Sequence, residues 1–169
     1  SVSLYSVDLG NDCFGLICMG RDDAQVRGHI EARASREQGS REELNAQAVG
    51  NALYGMQGMS SDVPEVREML SALASKVQGC REELDGQAVG NALYGLKGMS
   101  SDVPEVREML SALASKVQGC REQLKAQEVG NALYGLQGMS SDVPEVREML
   151  SALASKVQGC REQLNAQAV

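Results

Sequence analysis

Apolar residues fall at helical spacing through most of this chain. Over residues 46–57, Val49, Ala52, Leu53 and Met56 stand at i, i+3, i+4 and i+7, which gathers them on one face of an α-helix. Asn45 is placed to cap that helix and Gly58 to stop it. A second stripe follows in Val66, Met69, Leu70, Leu73 and Val77. Asp62 and Glu65 before it have capping-box spacing, and Pro64 lies in the first turn, where its missing N–H is no loss. Gly79 fits the C-terminal cap, and Cys80 and Leu84 read as one further helical turn leading onward. Gly50 and Gly55 each lower helix propensity by up to ~1 kcal/mol, which close approach to a neighbouring helix would explain. No strand pattern is visible.

The pattern then recurs. Residues 47–86, 87–126 and 127–166 are copies of one 40-residue unit; the first two agree at 35 of 40 positions and the last two at 37. Residues 7–46 are a diverged copy: shifted by 40, Gly10-Asn11 falls on Gly50-Asn51, Val26-Arg27 on Val66-Arg67, and 16 of 40 positions agree. One helix pair cannot bury its stripe alone, so such units stack. The expectation is an all-α solenoid of four helix-pair repeats. Residues 1–6 form a lead, 7–46 a capping repeat, then come 47–86, 87–126 and 127–166, and 167–169 begin a truncated further repeat. The diverged copy suits an end cap, because His29, Arg33 and Glu37 replace Met69, Leu73 and Val77, and Asp12 replaces Ala52. At the other end the stripe Met149, Leu150, Leu153, Val157 lacks a following unit and reads as a partner interface, covered by another protein or by more of its own chain. Ser1 in place of Met reads as a trimmed start.

Composition narrows the chemistry. One histidine, no tryptophan and a net charge of −7 argue against imidazole catalysis and against a broadly basic nucleic-acid surface. The apolar run Cys13–Met19 is far short of the roughly 20 residues that span a bilayer, so no membrane insertion is expected. Cys80, Cys120 and Cys160 recur 40 apart, which places them about one helix spacing, ~10 Å, from one another. That is too far for a disulfide or a shared zinc, so they read as small buried residues in a reducing intracellular compartment. Gly90–Gly98 is glycine-rich but lacks the Gly-Lys-Ser/Thr ending of a phosphate loop. No catalytic residue, metal ligand or cofactor is expected.

What remains are rows. Asn51, Asn91 and Asn131, with Tyr54, Tyr94 and Tyr134, recur on the first helix and are candidates to line a ligand running along the array. Gln57, Lys97 and Gln137, and Lys125, join them as positions where near-identical copies differ. The copies also differ at 48/88/128, 56/96/136, 83/123/163 and 86/126/166. Most of these flank the first helix and read as surface.

The run Leu84-Asp85-Gly86-Gln87-Ala88-Val89-Gly90-Asn91-Ala92-Leu93-Tyr94-Gly95-Leu96 is similar to the Gln-x-x-x-Asn-x-Leu-Trp-Ala-Leu helix of octotricopeptide-type repeats. Heptatricopeptide and FAST-kinase-like repeats share that look. Here Tyr stands in the place of Trp. The resemblance implies a non-enzymatic, organellar helical-repeat protein, mitochondrial or plastid, that binds single-stranded RNA. Armadillo/HEAT-type scaffolds, whose period of ~40–47 also fits, offer the alternative: a protein–protein interaction module or accessory subunit of a larger complex. Only the unit 87–126, with Lys97, Lys116 and Lys125, is net basic.

Overall fold

The protein is described here from a computed structural model covering residues 24–39 and 43–158. These residues are all-helical, with no strand. The helices are α1 (Ala24–Gly39), α2 (Ala46–Gly55), α3 (Pro64–Gly79), α4 (Gly86–Gly95), α5 (Pro104–Gly119), α6 (Ala126–Leu136) and α7 (Pro144–Gln158). Short and long helices alternate, and equivalent starts lie 40 residues apart, α1 included. The expected residues 1–6, Cys13, Cys18, Cys160 and 167–169 lie outside the described residues.

Local chemistry sets each boundary. Asn45 and Asp85 cap α2 and α4, their side chains each accepting the backbone N–H three residues on at 2.7 Å. Lys125 has no oxygen to offer. At α6 the Glu128 carboxylate instead reaches back to accept the Lys125 backbone N–H at 2.7 Å. The short helices α2 and α4 end two residues before Gln57 and Lys97, and Gly58, Gly98 and Gly138, at φ 74, 81 and 81°, make the reversal.

The expected capping box at Asp62 and Glu65 does not form. A residue before proline is pushed out of the helical region, so Val63 is extended (φ −80°, ψ 122°) and is itself the N-cap. Asp62 is left outside, its N–H donating to Ser60 Oγ at 3.1 Å. Nor does Gly79 make a left-handed cap: it is the last residue of α3, and Cys80 leaves the helix extended. The expected helical turn over Cys80–Leu84 is absent, because this stretch is tied across to other units. The Cys80 carbonyl accepts from Lys116 Nζ, and Glu82 Oε2 accepts the Ala46 N–H at 3.0 Å.

Packing is between like helices. The short helices form one row, α2 on α4 and α4 on α6, and the long helices another, α1 on α3, α3 on α5 and α5 on α7. One continuous apolar core runs through both rows. Fully burying a large side chain such as Leu53, Leu70, Leu93 or Leu110 is worth roughly 1.5–3 kcal/mol, and all four are at 0% exposure. The close approach expected of the helix glycines is present. A Cβ at Gly95 would collide with the Leu53 carbonyl, one at Gly135 with the Leu93 carbonyl, and one at Gly50 would lie 2.9 Å from Ala88 Cα.

Polar links repeat in the same register. Lys156 donates to the Cys120 carbonyl as Lys116 does to Cys80, placing a cation at the C-terminal, negative end of the preceding long helix. Ser61 Oγ accepts the Ser100 N–H at 3.0 Å, and Ser101 Oγ the Ser140 N–H at 2.9 Å. Both hydroxyls are buried and both are paired, which is the condition for burying them without loss.

The inner long helices α3 and α5 thus have two apolar sides, and the end helices show what each side is for. On α1, Val26, Ile30 and Ala34 are buried against α3, whereas His29, standing where Met69 is buried, is exposed. On α7 the sides are reversed: Met149 and Leu153 are buried, while Leu150 is 37% exposed. Two of the four residues expected at an open interface, Met149 and Leu153, therefore face backward onto α5 and are not available. Leu150 and the half-buried Val157 are on the open side, joined by Leu133 of α6, 44% exposed where Leu93 is fully buried.

Candidate functional site

The side of the short-helix row that meets solvent is set by spacing. On α4, Val89, Ala92, Leu93 and Leu96 turn inward, which leaves Gln87, Asn91, Tyr94 and Lys97 outward. The same positions turn outward on α2 and α6. Because the units repeat in register, the residues form rows that cross the helices.

The tyrosines form a stacked column. Tyr54 and Tyr94 have ring centroids 5.6 Å apart at 25°, and Tyr94 and Tyr134 5.7 Å apart at 23°, within the offset-stacked range for aromatic pairs. Lys97 Nζ lies 5.4 Å from the Tyr94 centroid and 5.0 Å from that of Tyr134, close enough for cation–π attraction to both. The interfacial faces of these rings are thus occupied by each other, and what they offer outward is edges and hydroxyls.

Asn51, Asn91 and Asn131 lie beside the column, each half-buried. Their side-chain amides make no hydrogen bond to another described residue. Each amide carries an acceptor oxygen and two donor hydrogens, so the row repeats one donor–acceptor pair at every unit. Gln57 is half-buried and Gln137 exposed at the position of Lys97, and Lys125 is exposed at the opposite end of its helix. The structure brings Asn91, Tyr94, Tyr134 and Lys97 onto one face. Lys125 sits at the N-terminus of α6, three helical turns from Leu136 and Gln137, and belongs to a different edge.

Not every variable position is surface. Met56, Leu96 and Leu136 are buried, and exchange there is an adjustment of core volume. Two other differences are one: Gly86 is buried against Glu128, whose carboxylate occupies the space a Cβ at residue 86 would need. Where the pair is Ala46 and Ala88, both side chains are small. This coupling across units was not visible from either column of the repeat alone.

The two described thiols are unlike reactive cysteines. Cys80 and Cys120 are free and buried, and burial is the largest influence on each, pushing the thiol above its ordinary range despite a partial opposing pull from a backbone hydrogen bond and the nearby lysine. They are protonated at neutral pH, hence weakly nucleophilic. Among the described residues no group of three His, Cys, Asp or Glu side chains converges to hold a metal, and no helix is long and apolar enough to cross a membrane.

Comparison with protein-family models, with curated proteins and with solved structures finds no match.

Proposed function

We propose that this chain is a non-enzymatic binding module, an α-solenoid of four 40-residue helix-pair units, whose outward short-helix face takes an extended segment of a protein partner. The observation that carries this is the pairing of a closed tyrosine column with an open asparagine row. An amide repeated in register complements the C=O and N–H of an extended peptide backbone, and the tyrosine edges beside it favour side chains with apolar area. Each such hydrogen bond contributes about 0.5–1.5 kcal/mol, so useful affinity comes from several units acting together.

Single-stranded RNA in an organelle, the reading that goes with the octotricopeptide resemblance, is supported by one feature, the Lys97 ammonium between two tyrosines. Two others oppose it. Bases recognised by stacking need open ring faces, and within the column the facing sides are taken up by the Tyr54–Tyr94 and Tyr94–Tyr134 stacks, which leaves the outer face of Tyr134 alone among the described rings. Phosphate binding grows with the number of cations, and among the described residues Lys97 is the one cation beside these rings.

Selection of 12-residue peptides from a random display library against the intact chain distinguishes the readings. Selected peptides are expected to shift the side-chain NH₂ signals of Asn51, Asn91 and Asn131 and to lose at least ~3-fold in affinity with Asn91→Ala, about one hydrogen bond. Selected peptides indifferent to Asn91→Ala and Tyr94→Ala would refute the peptide site. Salt-sensitive binding of a single-stranded homopolymer, abolished by Lys97→Ala, would transfer the face to RNA.

A further inference from the structure

The outward face of the short-helix row is uniform except at one point. The positions of Gln87, Asn91 and Tyr94 carry the same residues on α2 and α6, and only that of Lys97, which is Gln57 and Gln137 in the other units, differs. A segment held by identical units alone has no preferred place, because sliding by one unit loses contacts only at an end. The ring spacings of 5.6 and 5.7 Å set the pitch of the row. Two residues of an extended chain rise ~6.6 Å, a little more than one unit, so alternate residues of a bound segment meet successive units.

Lys97 is also where the face has unused bonding capacity. Its ammonium carries three N–H donors. It lies 5.4 and 5.0 Å from the ring centroids of Tyr94 and Tyr134, and the side chain is half-buried. It forms no hydrogen bond or ion pair with another described residue. The rings meet its charge from one side and leave the other to solvent. They also restrict where the ammonium goes, so an incoming anion faces less of the ordering cost that weakens most surface ion pairs.

We propose that Lys97 sets the register of the bound segment by taking one carboxylate from it, the side chain of an Asp or Glu; this rests on the peptide-binding reading of the face. The number of charges favours a carboxylate over a phosphate. A phosphorylated side chain brings about −1.5 to −2 and is matched by clusters of arginine, whereas this face offers one cation. A second carboxylate on the segment has no cation to meet, and the chain's net charge of −7 opposes it. The segment that fits therefore carries a single acidic residue, with uncharged or basic side chains at its other row-facing positions.

The test takes the 12-residue peptides selected against the intact chain and exchanges their Asp or Glu for the corresponding amide. Binding to the native chain is expected to weaken at least ~3-fold, the effect of an ordinary surface ion pair. Binding to Lys97→Gln is expected to be the same for acid and amide, and the variant places at 97 the residue its sister units already have. Lys97→Gln combined with Gln57→Lys moves the ammonium one unit along, to Tyr54 and Tyr94. Acid dependence is expected to return, and a nitroxide on the peptide's amino end to broaden the side-chain NH₂ signal of a different asparagine in the row. Peptides that depend on Asn91 but carry no acid, or bind equally well with its amide, would overturn the register role and leave the peptide site standing. So would acid dependence that survives Lys97→Gln, or a nitroxide position that does not follow the lysine. Binding indifferent to both Asn91→Ala and Lys97→Gln would overturn the inference together with the reading beneath it.

Discussion

Glycine does two different things in this chain, and substitution separates them. Gly95 sits where its Cα hydrogen faces the Leu53 carbonyl, so Gly95→Ala forces α2 and α4 apart. Overpacking of this kind costs about 1–3 kcal/mol or more, read as a lowered urea midpoint. Gly119, the last residue of α5, has nothing within 4 Å of a Cβ and no positive φ. Gly119→Ala is expected to leave stability unchanged or raise it by about 0.4–1 kcal/mol through the unfolded chain. That glycines within helices mark close approach was legible in the sequence, since nothing else offsets their low propensity. Which glycine meets which carbonyl was not, because it depends on the offset between stacked helices. The cysteines give a pH prediction at the same scale. Burial raises the Cys80 and Cys120 pKa above the ordinary 9.0, so the unfolded thiol ionises first as pH rises. Their contribution is fully present below that ordinary value and is lost as pH climbs from it through the folded one. Denaturation at pH 7 and pH 10.5 is expected to show a drop in stability that the Cys80→Ala, Cys120→Ala double variant reduces.

Helix ends in this chain are decided by one or two residues each, and that is where the sequence misleads. The stripes Val49–Met56 and Val66–Val77 give each helix and its buried face directly. The start of α3 does not follow from spacing, since Asp62 and Glu65 have the capping-box interval yet Pro64 forces Val63 to be extended. Local propensity overrode the pattern. The stretch from Cys80 to Leu84 departs from the pattern for the opposite reason: Cys80 and Leu84 suggest one further helical turn, but Lys116 and Glu82 make hydrogen bonds 36 residues along the chain that hold it extended. The short helices retain a testable asymmetry. Asp85 caps α4 with its side chain, and Asp85→Ala is expected to cost about 0.5–2 kcal/mol. Lys125 provides no such bond, so Lys125→Ala at the equivalent position is expected to be nearly neutral in the same thermal unfolding measurement.

At the level of the whole molecule, the described residues form a run of like-on-like contacts, short helix on short and long on long. The period of 40 made the rows of asparagine and tyrosine legible before any coordinates, because residues in register must line up if units stack. It left two things hidden: that the tyrosine rings occupy each other's faces, which depends on a separation set by glycines, and that Met149 and Leu153 face inward at the open end, which depends on the side of α7 that meets α5. Both concern direction, and a repeat pattern records position without direction.

The central claim is that each unit owes its stability to its neighbours rather than to its own sequence. The segments beginning at Ser60, Ser100 and Ser140 are identical for 23 residues, so their amides have the same intrinsic exchange chemistry and differ only in what covers them. Native-state hydrogen exchange followed by NMR compares them directly. Amides of α5 from Met109 to Val117 are expected to exchange at least ~10-fold more slowly than those of α7 from Met149 to Val157, since one uncovered leucine already corresponds to about 1.5–3 kcal/mol. Equal protection of the two helices would contradict the account, because it would mean that each helix pair holds itself together without the next.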